Sequence, residues 1–277
     1  MPLKTIKDMN NKTFLAIAAT VAVLTLTSRA DLIDNFDSYA NQAALTAVWT
    51  ADTGTGLQLS QSAPTPASGA NDVMNTTTAS ARMHATITGG VAANALDWTF
   101  KFYDNNGSRD YANLYAYTGA WTAGLQTDLA MGTYNTGTAS KYMGRYSAIT
   151  GAVYGDGAVA TTGDAGTGGW FSLTSAANRS VGWHTMEVKG MADPVYTGKL
   201  ELKFYIDGTL GGSISALTSY NLTFATLGGA VSTTASGAAY DDFSVATAAI
   251  PEPSTLALSL LGGLGLAATA ISRRRRA

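Results

Sequence analysis

The 277-residue chain contains no cysteine. No disulfide can staple it, and neither a cysteine nucleophile nor a cysteine metal site is available. Histidine is nearly absent too: His84 and His184 lie a hundred residues apart, and neither has the close acid or second histidine that a zinc site needs. Charged residues make up only 13%. Between residues 31 and 250 there are two glutamates, Glu187 and Glu201. Glycoside hydrolysis ordinarily takes two carboxylates roughly 5–9 Å apart across a cleft. Glu187 and Glu201 fall on different predicted strands, each on an outward, charged face, and no Glu-x-Asp-x-x-Glu run exists. The glycines of 166–169 are not a phosphate loop, because no Lys-Ser/Thr ending follows them. Runs of helix formers are missing as well. The expectation is a protein without catalytic residues, an enzyme by no reading of its acids.

What the chain has instead is Gly, Ala, Thr, Ser, Asn and Tyr, with turn residues recurring about every ten positions. That pattern predicts an all-β sandwich or barrel of antiparallel strands. In 97–103, Trp98, Phe100 and Phe102 share one face, while Thr99 and Lys101 share the other. In 199–207, Leu200, Leu202, Phe204 and Ile206 face in, and Glu201 and Lys203 face out. Asp207-Gly208 opens a hairpin turn toward a short strand near Ile214. Further strands are expected at 32–36, 57–60, 82–88, 113–118, 125–134, 142–149, 170–173, 183–190, 221–227 and 240–245, with loops at 62–71, 151–169 and 231–238.

Both ends read as targeting segments. Lys4, Lys7 and Lys12 precede an apolar core at 14–26, and Ser28-Arg29-Ala30 closes it with small residues. This describes a secretory signal peptide, residues 1–30, cut after Ala30. At the other end, residues 256–271 carry no charge. As a helix they span roughly 24 Å, a minimal transmembrane helix. Arg273, Arg274, Arg275 and Arg276 follow, and such a cluster stays on the cytoplasmic side. Pro251-Glu252-Pro253 forms an extended hinge before the span.

The formal net charge of −2 hides an asymmetry. Four basic residues and one acidic residue precede position 31, and four and one follow position 250. That leaves nine basic and 17 acidic residues in the body, a net charge of −8. An acidic body without a basic cluster excludes nucleic acid as the expected partner.

The order Pro251-Glu252-Pro253, apolar span, Arg273 to Arg276 resembles the PEP-CTERM sorting signal of Gram-negative bacteria (here residues 249–277). The resemblance implies export by the Sec translocon, cleavage by signal peptidase, and a membrane-held intermediate handled by an exosortase. The product then reaches the cell surface or extracellular matrix, often with exopolysaccharide. The body, 31–248, resembles concanavalin-A-like and laminin-G-like jelly rolls. The matching pieces are Asp34-Asn35-Phe36-Asp37-Ser38-Tyr39, Gly182-Trp183-His184, Phe204-Tyr205-Ile206-Asp207-Gly208 and Tyr240-Asp241-Asp242-Phe243-Ser244-Val245. This implies a jelly-roll β-sandwich whose first and last strands pair at one edge.

Two weak sites are candidates. No cofactor is required, but calcium suits carboxylates mixed with carbonyls. Asp34 and Asp37 would meet Asp241 and Asp242 if the terminal strands pair; the plain reading is aspartates accepting backbone hydrogen bonds. Tyr115, Tyr117 and Trp121, in a row with Tyr111 and Asn113, could stack on sugar rings; the plain reading is a tyrosine-rich face packed under loops. His84 and His184 read as structural. The expected function is an exported, exosortase-sorted, non-catalytic surface or matrix protein that contacts polysaccharide. A secreted carbohydrate-active enzyme of jelly-roll fold and a purely structural matrix component are the alternatives.

Overall fold

The computed structural model describes residues 31–248, apart from 55, 62–63, 75–80, 108, 118, 122–128, 135–139, 147–158, 161–169 and 230–236. The signal segment with Ala30, and the tail with Pro251, Glu252, Pro253 and Arg273 to Arg276, lie outside these residues. No helix among the described residues is long and apolar enough to cross a membrane.

The first half of the body forms β1 (Asp31–Asp34), α1 (Gln42–Thr46), β2 (Thr50–Thr53), β3 (Gln58–Ser60), β4 (Asp72–Met74), β5 (Arg82–Ala92), β6 (Leu96–Asp104) and β7 (Tyr111–Tyr115). The second half adds β8 (Leu129–Gly132), β9 (Met143–Tyr146), β10 (Val159–Ala160), β11 (Trp170–Ser172), β12 (Gly182–Ala192), β13 (Leu200–Ile206), β14 (Thr209–Leu217), β15 (Asn221–Leu227) and β16 (Ala239–Thr247). They build an antiparallel jelly-roll β-sandwich. One sheet runs β10-β14-β13-β12-β6-β16-β4-β3, with β1 also on β16; the other runs β11-β9-β8-β7-β15-β5-β2.

Period-2 patterning decides which sheet face is buried. Along β6 burial alternates strictly, with Trp98, Phe100 and Phe102 inside. They pack with Met186 and Val188 of β12 and Phe204 of β13. Ala112, Leu114, Leu129, Met131, Ala225 and Leu227 of the other sheet close the same core. Each fully buried large side chain contributes about 1.5–3 kcal/mol. The β13–β14 turn is the expected two-residue hairpin: Asp207 (φ 49°) and Gly208 (φ 75°) pair Ile206 with Thr209. Gly144 on β9 faces the core where a Cβ would come within 2.7 Å of Phe171 and 2.9 Å of Phe204. Gly144→Ala is therefore expected to cost about 1–3 kcal/mol by overpacking, read as a lower midpoint in urea unfolding.

The ends of the body meet as the jelly-roll resemblance implies, but not at a sheet edge. β16 is an interior strand. One side pairs with β6 throughout; the other pairs with β4 at Ala239 and Tyr240, then with β1 from Phe243 to Ala246. The switch falls at Asp241 and Asp242, where the register slips and Asp242 takes φ 46°. The strands β2 and β4 and the helix α1 were not expected, and β10 lies inside the expected loop 151–169. Each is five residues or fewer, and tertiary pairing rather than local propensity holds such short pieces. α1 does carry a cap, since the Asn41 side chain accepts from the Ala44 N–H at 3.0 Å.

Candidate functional site

The aspartates expected to gather around calcium divide into two groups. Asp34 turns inward from β1. Its Oδ1 accepts from the Phe36 N–H at 2.8 Å. Its Oδ2 accepts from Trp49 Nε1 at 2.8 Å and from the Tyr39 hydroxyl. Both oxygens are committed to the turn after β1, so Asp34 leaves the proposed ligand set. Asp37 Oδ1 accepts from the N–H groups of Ala70 and Asn71 at 2.6 and 2.9 Å. Asp241 Oδ2 accepts from the Ser68 N–H at 2.9 Å, and Asp242 Oδ1 from the Ser68 hydroxyl at 2.7 Å. These three aspartates pin the segment before β4, Asp37 and Asp241 through its backbone N–H groups and Asp242 through the Ser68 hydroxyl, which is the plain reading. Among the described residues, no three His, Cys, Asp or Glu side chains are arranged to hold a metal.

One acid was missed. Asp72 begins β4 and lies one step beyond the Val73–Tyr240 pair, beside Asp241 on the neighbouring strand. Both carboxyls are fully buried. Burial, and then the charge of Asp241, push Asp72 up to about 7; Ser60 on β3 moderates the rise, yet neither Asp72 oxygen has a hydrogen bond of good geometry. Burial pushes Asp241 up to about 6, opposed by the Ser68 and Asp242 N–H groups and reinforced by the Asp242 and Asp37 charges. The sequence signal was only an aspartate beside Val73, too little to place it against a strand 170 residues away.

The outer face of the second sheet holds a polar and aromatic cluster. Tyr111, Asn113 and Tyr115 do share one face of β7, as their parity predicts, with Thr226 and His84 next in register. Tyr115 is 1% exposed, however, and offers no ring face to a sugar. The Trp121 indole is committed as well: it stacks on His84 at 4.7 Å, meets Tyr115 edge-on at 5.0 Å, and donates Nε1 to Asp52 Oδ1 at 2.6 Å. Tyr117 is half-buried, its N–H donating to Thr223 Oγ1. Tyr111 and Tyr115 are packed beneath tryptophans, Trp170 at 4.8 Å from Tyr111 and Trp121 at 5.0 Å from Tyr115.

Asp52 of β2 organises this end of the face. It receives Arg82 Nε at 2.7 Å, and its Oδ1 lies 2.6 Å from His84 Nδ1. Burial opposes its charge, but the bonds from His84, Arg82 and Trp121 outweigh burial and hold the carboxyl below its ordinary value. At the opposite end, Trp170 of β11 and Tyr134 stack in parallel at 4.7 Å, with Tyr111 tilted against Trp170 at 4.8 Å. Arg145 stands over Trp170 at 5.9 Å and Arg109 over Tyr134 at 5.7 Å.

The remaining candidates are structural. Glu187 pairs with Lys189 at 2.8 Å and Glu201 with Lys203 at 3.4 Å, each within its own strand on the outward side of the first sheet. His184 lies between Asp207 Oδ2 at 2.8 Å and the Ser180 carbonyl at 2.9 Å. The oxygen-rich turn at 104–110 is held by Arg179, bidentate on Asp104 at 2.8 and 2.9 Å.

Residues 249–276 match the family described as the PEP-CTERM protein-sorting motif. The motif implies an exported protein with exosortase as its processing partner, as Pro251, Glu252, Pro253 and the four arginines suggested. No curated protein matches the chain. Solved structures that match include the carbohydrate esterase vb_24B_21 from Shiga toxin-encoding bacteriophage phi24B, at 14% identity and TM-score 0.46, over 79% of this chain and 97% of that one. The PL-14 alginate lyase from Aplysia kurodai matches at 11% and 0.47, over 80% and 100%. The receptor-binding domain of botulinum neurotoxin type G matches at 9% and 0.41, over 73% and 43%, so the chain spans less than half of that structure. Likenesses this distant carry no argument about ligand or activity.

Proposed function

We propose that the chain is a non-catalytic surface or matrix protein, and that its jelly-roll body contacts polysaccharide through the outer face of the second sheet. The observation that carries the location is the sorting motif at 249–276. In this reading residues 1–30 are a signal peptide removed after Ala30, following passage through the Sec translocon. Residues 249–277 hold the protein in the inner membrane until exosortase acts, and 31–248 is the one functional domain. The β1–β16 pairing suits this division. Ala248, the last described residue, donates its N–H to the Ala95 carbonyl at 2.6 Å, so the tail departs from a secured point of the sandwich.

Replacing Pro251-Glu252-Pro253 by three alanines tests the sorting. The variant should keep its C-terminal tail and remain with the inner membrane, whereas the parent loses the tail and reaches the surface; immunoblots of cell fractions read both. Identical processing and location of the two would sink the proposal.

A second reading, a carbohydrate-active enzyme, draws on one observation. His84 is oriented through Nδ1 by Asp52, as a general base is oriented by a third group. Polysaccharide turnover by the protein that disappears in His84→Ala would favour it over the non-catalytic reading.

A further inference from the structure

The body is acidic, yet two of its cations have no carboxylate partner among the described residues. Of its four arginines, Arg82 is paired with Asp52 and Arg179 with Asp104. Arg109 and Arg145 have no carboxylate partner among the described residues. They converge on one aromatic stack, Arg145 over Trp170 and Arg109 over Tyr134, whose rings lie 4.7 Å apart and within 8° of parallel. Ring faces attract each cation, but two guanidiniums at one ring pair repel each other. In a chain with 17 acidic body residues, this placement sets them apart from the ion-paired lysines of the first sheet.

Two unsatisfied atoms extend the pattern. Arg145 Nε is buried without a hydrogen-bond partner, and so is Asn113 Oδ1. A buried donor or acceptor left unmade is costly. The two sit in one cross-strand row: Trp170 pairs with Arg145, Arg145 with Ala130, and Ala130 with Asn113. Arg145 and Asn113 are thus two strands, about 10 Å, apart. The residue between them, Ala130, is fully buried. Asn113 is fully buried, and its amide nitrogen donates to Thr226 Oγ1 at 2.8 Å. Arg109 reaches its place from a left-handed backbone (φ 64°), a conformation a non-glycine residue holds only when its surroundings impose it. Arg109, Arg145 and Tyr134 are all partly exposed.

The geometry points to a site for an acidic polysaccharide, whose anionic groups are taken by the partly exposed Arg109 and Arg145 beside the Tyr134–Trp170 stack. This rests on the polysaccharide reading above and adds its charge. A neutral glycan offers nothing to offset the two cations. A carboxylate or sulfate ester accepts from a guanidinium edge in bidentate fashion.

The test uses the full-length chain in detergent and three soluble polymers: polygalacturonate, the same polymer with its carboxyl groups reduced to alcohols, and dextran sulfate. Binding is read by affinity electrophoresis at low and high salt. The protein is expected to be retarded by polygalacturonate or dextran sulfate, less so at high salt, and not by the reduced polymer. Arg145→Gln and Arg109→Gln should each weaken retardation about tenfold or more, while Lys203→Gln on the opposite sheet leaves it unchanged. Circular dichroism melts confirm that the variants are folded. The two polyanion arms tell carboxylate from sulfate. Equal retardation by the reduced polymer overturns the charge inference and keeps the glycan reading. Undiminished binding by both arginine variants overturns the site. Retardation by none of the three overturns the inference together with the glycan reading.

Discussion

Asp72→Asn is expected to stabilise the protein above about pH 7 and to flatten the pH dependence of its unfolding. The Asp72 carboxyl is pushed from 3.8 up to about 7 by burial and by Asp241. At pH below the unfolded value both states hold the proton, and the group's favourable contribution is fully present. As pH rises the unfolded chain releases its proton first, so the folded state binds more protons and stability falls. The loss is complete once pH passes the folded value near 7. Asp241, pushed up to about 6, acts in the same direction, and its charge is part of what raises Asp72. One pKa unit corresponds to about 1.36 kcal/mol, so the Asp72 term is on the order of 3–4 kcal/mol across that window. Asparagine keeps the shape, carries no charge, and can donate an N–H toward Asp241. In a domain of this size the change amounts to roughly 6–16 °C in Tm. Circular dichroism melts at about pH 5 and about pH 8 read it. Wild-type and Asp72→Asn curves that run parallel across that range would refute the assignment.

The architecture was legible wherever one sheet face is buried and the other is wet. Trp98, Phe100 and Phe102, or Leu200, Leu202, Phe204 and Ile206, declare their sides by parity alone, and Asp207-Gly208 declares its turn. Parity also grouped Tyr111, Asn113 and Tyr115 correctly. It could not say that their face is covered, because cover is a tertiary property. The same limit explains the calcium expectation. Pairing of the first and last strands was right, and it does bring Asp37, Asp241 and Asp242 to one region. What local sequence does not carry is where each carboxylate points: Asp34 to the Trp49 indole fifteen residues on, Asp37 to the backbone at Ala70. Asp72 was invisible because a three-residue strand has almost no periodicity to read. Arg145 and Trp170 lay on expected strands, but their adjacency is a matter of register between β9 and β11, and no local pattern fixes it.

Removing Asp52 should be among the most damaging single changes outside the apolar core, for a reason that is electrostatic. The Arg82 and Asp52 side chains are 4% and 2% exposed and 2.7 Å apart. In Asp52→Ala the Arg82 guanidinium stays buried with the 3.5 Å contact to the Tyr115 hydroxyl and the Trp121 ring 5.7 Å away but no carboxylate, while the Trp121 indole and His84 each lose an acceptor. A buried charge stripped of its partner costs about 3–5 kcal/mol. The desolvation argument adds a sharper requirement. Arg82→Met alone leaves the Asp52 carboxylate with His84 and Trp121, so it should cost less. The double variant Asp52→Ala/Arg82→Met buries no charge at all and should recover much of what Asp52→Ala loses. Urea unfolding of the four proteins closes the cycle, with an expected coupling of roughly 1–3 kcal/mol. The pH dependence gives a second readout. Asp52 is held below its ordinary value, so its contribution is present above the unfolded value of 3.8 and is lost as pH falls through the folded one. The double variant should lack that acid-sensitive part. Strict additivity of the two single changes would mean that Asp52 and Arg82 act separately, and that the outer face of the second sheet is held by its aromatic packing alone.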